Sequence, residues 1–267
     1  MSLAHQLVKV AAGAVDVVRR PRDGLVILLY HRVGATTGVS VDLPTDLFDA
    51  QMAAIAESGA ALGLDEAVAG LAAGVDLAGS VVVTVDDGTV DLLHRALPVL
   101  DRHRVPATVY VSTDFVERGV RFPDDGVPLS WAGLAEARST GLLTVGSHTH
   151  THALLDRLEA PAVVDELDRS IDLIEDRLGV RVDHFAYPKA IAPTAVAEGE
   201  VRRRFRSAAL ARTRANPVPA DLHRLSRSPI QVHDGLRWFG RKLAGGMALE
   251  DDLRRLVDRR RHAGAST

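Results

Sequence analysis

Short, predominantly apolar runs constrain this chain more than any other feature: Leu25–Tyr30, Val81–Val85, Ala107–Ser112 and Leu142–Gly146. Each has the length of a strand, and none alternates between polar and apolar residues as a half-exposed strand would. Helix-period segments stand between them. Leu92, Leu93, Ala96, Leu97 and Leu100 fall on one side of the first. From about Ala160, Val163, Val164, Leu167, Ile171, Ile174 and Leu178 keep the 3.6 period, and Gly179 is a natural stop. His184–Tyr187 and Ser207–Ala211 read as later strands. Strands buried on both faces and alternating with helices predict a parallel sheet covered by helices. No repeat, linker or composition break divides the 267 residues. A single α/β domain over 1–267 is expected, a size at which α/β barrels are common.

Composition narrows the chemistry. There is no cysteine, which excludes disulfides, thiolate metal sites and cysteine nucleophiles. A net charge of −3 gives no electrostatic footprint for nucleic acid. No run approaches the ~20 apolar residues of a spanning helix, and residues 1–18 lack the zones of a secretory signal. Leu3–Val18, interrupted by His5, Lys9 and Asp16, reads as a short amphipathic helix. The stretch from Leu236 to about 262 reads as a basic helix, with Leu253, Leu256 and Val257 on one stripe and Arg254, Arg255, Arg259, Arg260 and Arg261 around it. The chain is expected to be cytoplasmic or membrane-peripheral, with the terminal helices as the surfaces that would meet anionic lipid. Oligomeric state is not encoded in any of these signals.

Two motifs carry chemistry. Thr84-Val85-Asp86-Asp87-Gly88 closes one apolar run, and Gly146-Ser147-His148-Thr149-His150-Thr151-His152 closes another. In parallel α/β folds, sites lie at the carboxyl ends of strands. Carboxylates and imidazoles without thiolates suit a borderline or hard divalent ion: zinc, with cobalt, nickel, iron or manganese also accommodated. In an extended strand, His148 and His152 would lie about 13 Å apart. A helical curl after the strand would bring them together and would leave His150 outside the ligand set or exposed. Asp86 and Asp87 are adjacent, so at a strand end they point to opposite sides. One is expected to bind metal and the other to take a proton, while Gly88 allows a sharp turn beneath them.

With Tyr30-His31-Arg32-Val33, Pro106-Ala107-Thr108-Val109-Tyr110-Val111 and Phe185-Ala186-Tyr187-Pro188, these motifs resemble the polysaccharide deacetylase family, carbohydrate esterase family 4, over about residues 25–230. The resemblance implies a distorted (β/α) barrel of about seven parallel strands. It implies that Asp87, His148 and His152 hold one divalent metal ion, zinc first, with water completing the coordination. Asp86 resembles the general base and His31 the general acid. The implied reaction removes an N-acetyl group from an amino-sugar glycan and releases acetate and a free amine. Lys189 and Tyr187 fall in the motif implied to bind the oxyanion and substrate, and Arg227 matches an arginine of the subgroup.

The chain departs from the pattern at Lys189-Ala190, where the subgroup has Tyr-Gly. A backbone N–H at Lys189 can still bind an oxyanion, and its charge would suit an anionic substrate. The arginine that orients the base in other members aligns with Ala186, leaving Arg224 or Arg227 to take the role. These departures motivate an alternative, a glycan-binding relative without turnover. Two imidazoles and a carboxylate also form the triad of non-haem iron oxygenases, and a non-sugar amide would suit the same machinery. With aromatic residues at 4%, a long stacking groove for a polymer is not expected.

Overall fold

A computed structural model describes residues 3–18 and 23–253. Seven parallel strands close on themselves as a barrel in the order β1 (Val26–Tyr30), β2 (Val81–Val85), β3 (Ala107–Val111), β4 (Leu143–Ser147), β5 (His184–Ala186), β6 (Ser207–Ala211) and β7 (Leu225–Pro229). Register is set by pairs such as Leu28↔Val83, Val83↔Ala107, Ala107↔Leu143, Ser147↔Phe185 and Ala209↔Leu225. Leu28↔Ser228 closes the ring. The expected alternation of buried strands and covering helices is therefore present as a single α/β barrel.

The described helices are α1 (Leu3–Val18), α2 (Thr45–Ser58), α3 (Leu64–Ala72), α4 (Leu97–His103), α5 (Thr113–Arg118), α6 (Trp131–Ser139), α7 (Ala160–Leu178), α8 (Ala195–Arg204) and α9 (Gly235–Leu243). A π-helical turn, Leu92–Ala96, leads into α4. On α7 the buried face is Val163, Glu166, Leu167, Ser170 and Ile174, and Gly179 ends the helix in the left-handed conformation. Two polar residues thus sit within the stripe that the hydrophobic period marks out.

Alternation along the strands divides the core. Leu28, Val83, Val109, Val145, Phe185 and Leu210 face outward and pack under the helices. Ile27, Val82, Tyr110, Ala186, Ala209 and Leu225 form a separate cluster with Leu64, Ala67, Val68 and Leu71 of α3. That second cluster is the barrel interior, and α3 closes its amino-terminal end. His184, fully buried there, bridges Ser207 Oγ at 2.8 Å and Asp65 Oδ1 at 3.0 Å. The opposite, carboxyl end of the strands stays open to loops.

The carboxyl-terminal helix is shorter than the sequence suggests. Helix α9 stops at Leu243, followed by Ala244 to Met247 outside any helix and helical residues again from 248 to 253. Gly245 and Met247 take positive φ there, which breaks the helix. Residues 254–262, with all five arginines of the expected basic face, lie outside the described residues. Among the described residues no helix is long and apolar enough to cross a membrane.

Candidate active site

Strand ends deliver the chemistry. The Asp86 N–H still bonds the Tyr30 carbonyl at 3.0 Å, so the ladder between β1 and β2 runs one residue beyond β2. The alternation expected for the two carboxylates then fails, because Asp87 adopts φ 74° and Gly88 φ 84°. This left-handed turn, which Asp tolerates better than most residues and Gly adopts freely, swings both carboxylates toward one imidazole. His148 Nε2 lies 3.7 Å from Asp86 Oδ2 and 3.8 Å from Asp87 Oδ1.

The histidine segment also turns by a different device from the expected helical curl. His148 extends β4, its N–H bonding the Val111 carbonyl at 2.9 Å. Thr149 (φ 64°) and His152 (φ 62°) then take left-handed conformations, folding the chain back over two residues. The rings of His148 and His152 end with centroids 5.0 Å apart, and His152 Nε2 comes within 3.6 Å of Asp87 Oδ1. His150 points away, as expected, but is buried rather than exposed: its Nδ1 meets Thr113 Oγ1 at 2.8 Å.

The ligand atoms of Asp87, His148 and His152 all lie within 4.8 Å of one another. Donors at ~2.1 Å from a tetrahedral ion are about 3.4 Å apart, close to the two Asp87–imidazole distances. His148 Nδ1 donates to the Ala186 carbonyl at 2.8 Å, which fixes the tautomer and leaves Nε2 as the lone-pair donor. Burial and the neighbouring His148 push the His152 imidazole down to about 4, with Lys189 adding to the shift; it is neutral, as a ligand must be, at ordinary pH. The three residues fit a divalent ion. A second group, His233, Asp234 and Glu250, also brings its ligand atoms together, but it does not fit one. Lys9 and Lys242 already pair with Asp234, and Lys9 reaches Glu250 at 2.8 Å.

Asp86 is buried, and burial alone would raise its pKa; the Arg227 guanidinium, helped by His148 and His31, holds the carboxyl down to about 2. The contact is bidentate, Arg227 Nη1 to Oδ1 at 2.6 Å and Nη2 to Oδ2 at 2.9 Å. Arg227 Nη1 also reaches Thr84 Oγ1 at 3.2 Å, and the guanidinium lies 5.1 Å from the centre of the Tyr110 ring. Arg227 comes from β7 and is fully buried within the barrel. Of the two candidate arginines it is the one that meets Asp86. Arg224 is half exposed and pairs with Glu198.

Among the remaining candidates, His31 follows β1 directly, is half-buried and stands near enough to Asp86 to lower its pKa. Its Nδ1 is buried with no hydrogen-bond partner among the described residues. Lys189 sits in a left-handed turn (φ 50°) after β5 with its side chain exposed and its charge felt at His152. Tyr187 is not brought to this group. It stacks edge-on to Phe185 at 5.1 Å and joins the outward core with Val201 and Phe205. Its neighbours in charge are Glu198, Arg202 and Arg224 at the surface.

The polysaccharide deacetylase family model matches residues 74–203, the span that contains both aspartates and all three histidines of the second motif. Among solved structures, the fold is similar to the Streptococcus pyogenes deacetylase PplD in complex with acetate. That match has a TM-score of 0.72 and 22% identity over 82% of this chain and 98% of that one. IcaB from Ammonifex degensii gives a TM-score of 0.73 and 24% identity over 84% of this chain and 98% of that one. A curated relative, the uncharacterized protein YlxY of Bacillus subtilis (strain 168), is 26% identical over 98 residues, 37% of this chain. The match spans 27% of that relative's length.

Proposed function

We propose that this chain, a member of the polysaccharide deacetylase family, hydrolyses the N-acetyl amide of an amino-sugar glycan with a divalent ion held by Asp87, His148 and His152. One observation carries the reading: a buried carboxylate, Asp86, gripped at both oxygens by Arg227 and set 3.7 Å from an imidazole of the three-residue donor group. A structural ion would need no such neighbour.

The roles divide as follows. Asp86, ionised across the working range, accepts a proton from the attacking water. A divalent ion between the three donors, zinc being the first choice, would polarise the amide carbonyl and acidify that water, which suits a base as weak as a carboxylate held near 2. Arg227 keeps Asp86 charged and fixes its plane. His31, facing the same space from the end of β1, donates the proton without which an amine leaves poorly. The Lys189 N–H at the turn after β5 stabilises the oxygen that gains charge. Tyr187 packs this turn onto α8 and takes no direct part. The products are acetate and the free amino sugar.

The reading without turnover rests on two departures, Lys189-Ala190, where a backbone N–H is still present, and the arginine missing from the aligned position. Arg227 fills that role from another strand, so nothing in the geometry favours it. An ionised carboxylate beside the ligands is what a hydrolytic water needs to lose its proton, which favours hydrolysis over the iron-oxygenase reading.

The test is acetate release from a panel of N-acetylated amino sugars, from monomer to polymer, by chelator-stripped protein reloaded with zinc, cobalt or nickel. Release that depends on the metal and disappears in Asp86→Asn, which still binds the ion, is the expected result. One tightly bound ion per chain with no acetate from any substrate would sink the deacetylase assignment. No bound ion at all would sink the ligand set.

A further inference from the structure

Helix α7 carries two polar residues where its packing face should be apolar. Glu166 and Ser170 are both buried, at 8% and 0% exposure, and lie among Val163, Leu167 and Ile174. They are four residues apart, so they share a face one turn from each other. A carboxylate in that position is costly unless its oxygens are bonded. Both are, and to a single residue: Glu166 Oε2 accepts the Thr151 N–H at 2.8 Å and Oε1 accepts the Thr151 hydroxyl at 2.7 Å. Thr151 immediately precedes His152. Ser170 Oγ stands 2.6 Å from Ser147 Oγ, and Ser147 immediately precedes His148. Ser147 Oγ in turn accepts the Thr149 N–H at 3.3 Å. Within the segment, Thr149 and His152 both hold left-handed backbone, a conformation that costs a non-glycine residue energy and persists only where the surroundings impose it.

We propose that Glu166 and Ser170 form a two-point clamp by which α7 sets the separation of His148 and His152, with Glu166 as the principal positioning residue of the metal centre. The inference rests on the metal-dependent reading above. Glu166 touches no ligand atom. It holds the backbone that aims the His152 ring, and its loss frees the left-handed turn to relax. Groups that orient metal ligands in this way typically contribute 10–100-fold in metal affinity.

The test compares zinc dissociation constants, by competition with a chromophoric chelator, for the unaltered protein, Glu166→Leu, Glu166→Gln, Ser170→Ala and Ile174→Ala. Cobalt(II) visible spectra of each report ligand geometry. Ile174 lies on the same buried face of α7 but bonds to neither end of the segment, so its variant lowers thermal stability alone. The expected result is zinc binding weakened about 10–100-fold in Glu166→Leu with an altered cobalt spectrum, a smaller loss in Ser170→Ala and substantial recovery in Glu166→Gln, whose amide oxygen still accepts the Thr151 N–H. Ile174→Ala should bind zinc and cobalt as the unaltered protein does. Unchanged zinc affinity in Glu166→Leu overturns the clamp and leaves the metal-dependent reading standing. So does an equal loss in Ile174→Ala, which would mean general destabilisation. Failure of the unaltered protein to bind zinc or cobalt overturns both.

Discussion

At the scale of single residues, the pair of Arg227 and Asp86 decides most. Both are buried, so removing the guanidinium strands an uncompensated carboxylate. Arg227→Met should cost about 3–5 kcal/mol of stability in denaturant unfolding and raise the Asp86 carboxyl from about 2, moving the acid limb of the pH–rate profile upward. Arg227→Lys should recover little, since an ammonium cannot reproduce the two-pronged contact. A stability change within error for Arg227→Met would show that the pair is better solvated than its burial implies. How much of this was legible varies by residue. Asp86, Asp87, His148 and His152 were readable as a set because strand-end carboxylates and imidazoles are rare together. The turn that unites them was not: Asp and His adopt left-handed φ more readily than most residues, but that preference is too weak to place such turns at Asp87, Thr149 and His152. Arg227 was found only through a resemblance, since Leu225-Ser226-Arg227-Ser228-Pro229 is too polar to read as a buried strand. It becomes one because an arginine inside the barrel has a carboxylate to meet. Glu166 left a faint trace, an acidic residue three positions after Val163 on an apolar stripe.

At the scale of elements, α1 shows how a terminal helix is docked by charge. Lys9 projects from it onto Asp234, which also receives Lys242 at 2.9 Å, the Gln231 N–H at 2.8 Å and almost no solvent. At the far end of α1, Asp16 accepts the Met247 N–H at 2.8 Å. Burial would raise the Asp234 carboxyl, but Lys242 and Lys9 outweigh it and hold it below the ordinary 3.8. A carboxyl depressed in the folded state stabilises fully above its unfolded value and loses that contribution as pH falls through the folded one. The α1 attachment should therefore hold above about pH 4 and weaken in more acid solution. In Asp234→Asn the weakening should be present at neutral pH, seen as faster hydrogen exchange in α1, because two buried ammonium groups are left to share Glu250 as their counter-charge. Equal exchange in the two proteins at pH 7 would remove Asp234 from the docking. The amphipathic pattern announced this helix in the sequence; the distant Asp234 that receives its lysine could not be read from a local period.

At the scale of the whole molecule, the barrel is filled, and its filling is tightly matched. Gly146 leaves room where a Cβ would meet the His184 carbonyl oxygen and the Tyr110 ring, each at 2.7 Å. Gly146→Ala should cost about 1–3 kcal/mol in chemical unfolding through overpacking alone, and a neutral outcome would mean the interior can yield. The alternation of strand and helix made the parallel sheet predictable, but closure depended on β7, the strand hidden by its polarity. Because α3 seals one end and Tyr110 and Arg227 fill the space beneath Asp86, the barrel is a cup with one rim. Whatever reaches the site must arrive and leave on that one side. Under the proposed reaction, acetate leaving and the next acetyl group arriving would share that side, so added acetate should compete with substrate.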